Sequence, residues 1–260
     1  MDTSISLTAN DPLGNRMTES GFWDRMYVDG VSRDAWYRRL ARRHIDQFLR
    51  GVLYEQTASP RVLELGCAPG RMLCRLNSLR PDCRFSGIDF SPSGVETSEV
   101  ATRELGMRAN IVEGDLFQVD LPEQHEIVMS FGLVEHFLDP SSILEQHARF
   151  CKPGGRVAIT IPNFVPVKKL AYWTKPEQAD AHNFHIMSRE RLRDAMVDAG
   201  FEDIRICGLG GPRIWMEADQ NRLWGRLYSR LAQAWNFFAS LLPGSATWYG
   251  TYAATGRVAV

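Results

Sequence analysis

No two cysteines of this 260-residue sequence form a C-x-x-C pair, and their number, five, is odd. Cys67, Cys74, Cys83, Cys151 and Cys207 are scattered. That pattern supplies no disulfide framework and no zinc spacing, and it is expected of a chain kept in a reducing cytoplasm. Long apolar runs are missing as well. With no stretch of about 18 apolar residues, no stable membrane insertion is expected. The residues up to Met17 have neither a basic start nor an apolar core, so they do not read as a signal peptide. Neither sign of charge dominates, since 30 Lys and Arg face 31 Asp and Glu for a net charge of −1. Nothing in that balance calls for nucleic acid as a partner. Internal repeats and low-complexity tracts are absent too.

What is present suits one α/β domain with appendages. Hydrophobic residues make up 44% of the chain, enough for a sizeable core. Val62 to Leu65 is a short run of strand formers ending in a glycine turn, Gly66-Cys67-Ala68-Pro69-Gly70. Arg71–Leu79 follows with apolar residues at helical spacing, at Met72, Leu73, Leu76 and Leu79. A strand, a tight turn and a helix open a nucleotide-type α/β fold. The turn is not a dinucleotide fingerprint, because G-x-x-x-G stands in place of G-x-G-x-x-G, and no Gly-Lys-Ser/Thr makes it a P-loop. Further strands are read at Arg84–Asp89, from Ala109 to Leu116, at Glu126–Phe131, Arg156–Ile161, Phe201–Cys207 and over Gly250–Val260. Helices are expected between them, including Ser91–Leu105, Ser141–Phe150 and Ser188–Ala199, the last with Ser188 as N-cap and Gly200 as stop.

Asp89 ends the second strand 19 residues after Gly70, near the spacing at which an acid meets a ribose in nucleotide folds. His136 is the residue after strand four whose ordinary pKa suits proton transfer near neutrality. It reads equally as a pocket or catalytic histidine and as a structural one bonded to backbone; Glu135 reads as structural. No Asp, Glu and His set stands out as a metal site, and none is expected.

The order of these features resembles the class I S-adenosylmethionine (SAM) methyltransferases, in particular the small-molecule enzymes of the ubiquinone-biosynthesis type. The resemblance rests on Glu64-x-Gly66-x-Ala68-x-Gly70, with alanine at the middle glycine, on Asp89, on Gly114-Asp115, on Glu135-His136 and on Lys152-Pro153-Gly154-Gly155. It implies a Rossmann-like seven-stranded, mostly parallel sheet with helices on both faces. An N-terminal helical lid and a C-terminal helical insertion before the last antiparallel strand complete it. Residues 1–50 form the cap and 51–260 the SAM-binding domain, with 164–187 and 212–249 as lid or insertion segments. Residues 1–20 are expected to be mobile, and two helices to lie between Ser20 and Arg50, the second from Ser32.

The implied cofactor site takes Glu64, Gly66, Cys67, Ala68 and Gly70 from the first motif. Asp89 would meet the ribose, Phe90 would stack on the adenine, and Ser91 follows them. Asp115 and Leu116 would meet the adenine edge, and Ser130 and Phe131 lie at the end of strand four. Substrate contacts are expected from Trp36, Tyr37, Pro162, Asn163, Tyr172, Trp173 and His185, with His136 taking the proton. The activity implied is methyl transfer from SAM to an O or N nucleophile of a small-molecule metabolite, in biosynthesis or secondary metabolism, with S-adenosylhomocysteine as product.

Two other readings stay open. An aromatic box of Trp36, Tyr37, Tyr172 and Trp173 facing the sulfonium would suit a SAM-consuming cyclase or lyase, giving azetidine-2-carboxylate and methylthioadenosine. A SAM-binding protein without chemistry would instead serve a partner through the aromatic segment Trp215–Leu242. That amphipathic segment is expected to pack on the core or form a dimer face, a possible homodimer, with membrane contact the weaker use.

Overall fold

The structure, a computed structural model, describes residues 14–28, 43–55, 59–122, 124–174, 176–211, 223–241 and 250–260. Its elements run α1 (Ser20–Val28), α2 (Arg43–Tyr54), β1 (Arg61–Leu65), α3 (Arg71–Leu79), β2 (Arg84–Asp89), α4 (Pro92–Glu104) and β3 (Ala109–Glu113). β4 (His125–Phe131), α5 (Pro140–Phe150), β5 (Cys151–Pro162), α6 (Lys168–Thr174) and α7 (Pro176–Asp180) follow. α8 (Arg189–Asp198), β6 (Phe201–Leu209), α9 (Leu223–Leu241) and β7 (Thr251–Val258) end the chain.

The seven strands form one sheet in the order β3-β2-β1-β4-β5-β7-β6. The first five are parallel, and β7 runs antiparallel to both β5 and β6. Central strands alternate between two buried layers. Leu63, Leu65, Val128 and Val157 pack with Ile143 and Leu144 of α5 and Leu192 of α8. Val62, Ile127 and Met129 pack with Leu49 and Leu53 of α2 and Leu73 and Leu76 of α3. Apolar residues on both faces are what a parallel sheet between helical layers requires. The order reverses between β1 and β4, so the carboxyl ends of β1, β2 and β4 open one crevice at the switch point.

The strands read from sequence are all present, and Ser91 and Ser188 cap their helices by accepting from the N–H groups of Gly94 and Arg191. Three details differ. The resemblance implies a last strand at the sheet edge beside strand six, whereas β7 lies inside the sheet and β6 is the edge. β7 places Ala253, Ala254 and Gly256 between its neighbours, and a Cβ on Gly256 would stand 3.0 Å from Phe201. The Lys152-Pro153-Gly154-Gly155 turn is taken into β5, at the cost of a register shift against β4 between His125 and Ile127. Residues 14–20 are tied down rather than loose. Arg16 forms a β-bridge with Phe137, and Asn15 and Met17 exchange backbone bonds with Leu138 and His136. The second N-terminal helix is described only from Arg43, and runs to Tyr54.

Candidate functional site

The turns after β1, β2 and β4 enclose a cavity of about 260 Å³. Gly66, Ala68 and Pro69 come from the first turn, Ile88, Asp89 and Phe90 from the end of β2, and Leu116 from the turn after β3. Phe131, Gly132 and Leu133 continue from β4 to His136 and Phe137, and Arg16, Thr18 and Trp23 close the cavity from the N-terminal side. A wider depression lined by Cys83, Arg84 and Asn110 lies at the amino ends of β2 and β3, the wrong end of a doubly wound sheet for a ligand.

The first turn is pinned to β2, since the N–H groups of Gly66 and Cys67 both donate to the Ile88 carbonyl, at 2.9 and 3.2 Å. Gly66 and Gly70 have φ of +68° and +79°. A Cβ on Gly70 would stand 2.9 Å from the Ser98 Cα, so what this glycine admits is the backbone of α4. Asp89 is 5% exposed. It accepts from the Ala68 N–H at 2.9 Å on one carboxylate oxygen and from the Ser91 N–H at 3.0 Å on the other. Each oxygen keeps a lone pair for a ligand. Burial pushes its pKa up, against those two donors. Behind it Glu64 is buried and does not reach the cavity; burial and the charge of Asp89 hold its pKa well above the usual range.

His136 lies on a 3₁₀ turn, Val134–His136, with its ring 4.9 Å from Trp23 and 4.6 Å from His182. Its Nδ1 is 2.6 Å from the Ala181 carbonyl, which can only accept. The proton therefore sits on Nδ1, and Nε2 is left as an acceptor. Burial and His182 bring its pKa down to about 3, so the ring is neutral at ordinary pH. Its neighbour Glu135 is buried, with a pKa pushed up to about 8 and Oε2 without a hydrogen-bond partner among the described residues. Glu135, His136 and His182 bring one donor atom each within 4.8 Å of one another, a set the linear sequence did not reveal.

The roof is where sequence and structure differ most. The Arg16 guanidinium pairs with Asp115 and lies 5.1 Å from the Phe90 ring and 5.4 Å from that of Phe117. Both groups expected at an adenine are thereby engaged, and Asp115 does not line the cavity. Asp24 of α1 accepts hydrogen bonds from the hydroxyls of Ser91 and Ser93, at 2.5 and 2.7 Å, and so clamps α1 onto the start of α4.

Other expected residues are placed elsewhere. The Cys67 side chain is buried in the layer between the sheet and α3, at the spot a Cβ on Gly87 would fill. Ser130 turns its hydroxyl to Nε2 of His147 at 2.8 Å. Pro162 and Asn163 end β5 outside the cavity, and Asn163 donates to the Gly250 carbonyl. Tyr172 and Trp173 are 40% and 68% exposed, and His185 is exposed. Trp36 and Tyr37 fall outside the described residues, so no aromatic box for a cyclase is assembled among the described ones. Sequence reasoning missed Arg16, Thr18 and Trp23, and took His185 where His182 meets His136. In the sequence Trp23 is one ring among Phe22, Trp23 and Tyr27, and its place beside His136 depends on a chain path that includes the Arg16–Phe137 bridge, which leaves no sequence signal.

Among known proteins, the model of a methyltransferase domain family matches residues 34–206. A Mycobacterium tuberculosis protein, named a probable S-adenosylmethionine-dependent methyltransferase, is 24% identical over 200 residues, 74% of this chain and 65% of its own length. The chain thus spans just under two thirds of that relative. A ubiquinone biosynthesis O-methyltransferase of Pseudomonas putida is 29% identical over 161 residues, 58% of this chain and 68% of its own. Of solved structures, a chain in the complex of the Haloferax volcanii Trm112 methyltransferase activator with a methyltransferase superposes with a TM-score of 0.60. Identity there is 20%, and 93% of this chain and 96% of that one are covered. With more than half of its length matched, the chain belongs to the methyltransferase domain family.

Proposed function

We propose that the protein transfers the methyl group of SAM to an O or N nucleophile of a small molecule. The observation that carries this reading is the gathering of Gly66, Ala68, Asp89, Phe90, Leu116 and Phe131, expected from motifs far apart in sequence, around one cavity at the switch point. SAM, when bound, supplies an electrophilic methyl on a sulfonium, attacked in line by the acceptor. Asp89 holds the ribose by charge-assisted hydrogen bonds, and Trp23 and Phe131 exclude water. His136 presents Nε2 to the acceptor's proton. A neutral histidine with a pKa near 3 is a weak base for a resting hydroxyl. It suffices once methyl transfer makes that proton acidic, so proximity and orientation carry most of the acceleration.

Mass spectrometry of the protein incubated with SAM alone, then with metabolite extract, tests the reaction. S-adenosylhomocysteine appearing only with extract is expected, and the methylated mass would name the acceptor. Methylthioadenosine without an acceptor would replace transfer by SAM cleavage. Asp89→Ala should weaken SAM binding by tenfold or more in calorimetry, the scale of two hydrogen bonds to a charged group; unchanged affinity would remove SAM from this cavity.

A further inference from the structure

Helix α9 wears its polarity reversed. Gly225, Ser229 and Ala232, four and three residues apart, are buried. Leu223, Leu227, Leu231, Trp235 and Phe238 are 76%, 58%, 63%, 47% and 64% exposed. At about 100° per residue the large apolar side chains fall within an arc of about 120°, roughly opposite the small buried ones. A surface helix ordinarily does the opposite. Trp224 extends the patch to α6, its ring 5.2 Å from that of Trp173, which is itself 68% exposed.

The charges beside the patch select its occupant. Arg226 and Arg230 are exposed at one flank of the arc, α9 contains no acid, and Lys169 of α6 is exposed one helical turn before Trp173, while Lys168 lies over the Tyr172 and Phe184 rings. Glu177 and Asp180 of α7 line a depression with Met17 and Arg25, and Asp180 also meets the Tyr172 hydroxyl. A second copy docked about a two-fold axis would bring two sets of these cations together. An anionic surface would neutralise them. Tryptophans at the border of an apolar arc and arginines at its flank are the side-chain arrangement of a helix lying in a bilayer interface. No helix among the described residues is long and apolar enough to cross one.

We infer that α9, continued by Trp173, docks the protein flat on a bilayer carrying anionic headgroups. The test is co-sedimentation of the full chain with phosphatidylcholine vesicles, with and without phosphatidylglycerol, alongside light scattering in vesicle-free buffer. Binding is expected only to the anionic vesicles, weakening as salt rises, with a blue shift of tryptophan fluorescence. The doubly substituted Leu227→Glu, Leu231→Glu variant should lose vesicle binding at least tenfold with an unchanged circular dichroism spectrum. Arg226→Gln and Arg230→Gln should each weaken it about fivefold, equal to about 1 kcal/mol apiece. Failure to bind either vesicle, or equal binding to both, would overturn the inference. So would a vesicle-free dimer that the double glutamate variant dissolves, because the patch would then be a contact between copies.

Discussion

Arg16 and Glu135 are the two residues whose chemistry the sequence hides. Arg16 lies over Phe90 and pairs with Asp115, the two groups proposed to meet an adenine. Arg16→Ala should therefore tighten SAM binding about fivefold, the release of about 1 kcal/mol of cation–π and ion-pair contact. Weaker binding in calorimetry would make Arg16 a cofactor contact instead. Glu135 has its carboxyl raised by burial from 4.5 to about 8. Folding favours its protonated form, so this contribution is complete below pH 4.5 and is lost as pH rises through 8. Glu135→Gln stays neutral throughout. In urea unfolding it should match the parent near pH 4.5 and exceed it by several kcal/mol at pH 8, at about 1.4 kcal/mol per unit crossed. A gap that does not change with pH would mean that the carboxyl is hydrated.

Among the elements, the first strand, its turn and α3 could be read residue by residue. Val62 to Leu79 combines strand formers, two turn glycines and a helical apolar period, and each local preference agrees with the fold. What could not be read was which neighbour each glycine serves. Gly70 admits α4 through Ser98, 28 positions away. Gly70→Ala combines the cost of a left-handed backbone with that of a Cβ 2.9 Å from the Ser98 Cα. It should destabilise the protein by about 2–4 kcal/mol in urea unfolding. A loss below about 1 kcal/mol would mean that α4 shifts to make room. β7 was equally legible as a strand, yet its place between β5 and β6 rests on backbone pairing with strands far away in sequence, which alternation along one strand does not encode.

At the scale of the whole molecule, the N-terminal segment adds a wall to the crevice at the switch point, through Arg16, Thr18 and Trp23. Its attachment depends on the Arg16–Phe137 bridge and on Asp24 joined to Ser91 and Ser93. Asp24→Ala should leave the melting temperature nearly unchanged, because the core layers lie elsewhere, and should speed SAM release several-fold in stopped-flow fluorescence of Trp23. An unchanged release rate would mean that α1 does not hold the ligand in.

The sequence by itself determined the seven strands, most of the helices and the turn residues, because each follows from side-chain periodicity and glycine placement within about twenty residues. It also marked Asp89 and His136, whose chemistry shows in the residue type and in position after a strand. Tertiary structure alone decided which of the marked residues share a cavity. Ser130 and Cys67 turn into the helix layers because successive side chains of a strand or turn face opposite ways. Arg16 and Trp23 reach the site through contacts spanning more than 100 residues. It also decided the outward face of α9. The apolar stripe is written in the sequence, but which side of a helix meets the protein is settled only where Gly225, Ser229 and Ala232 let it approach.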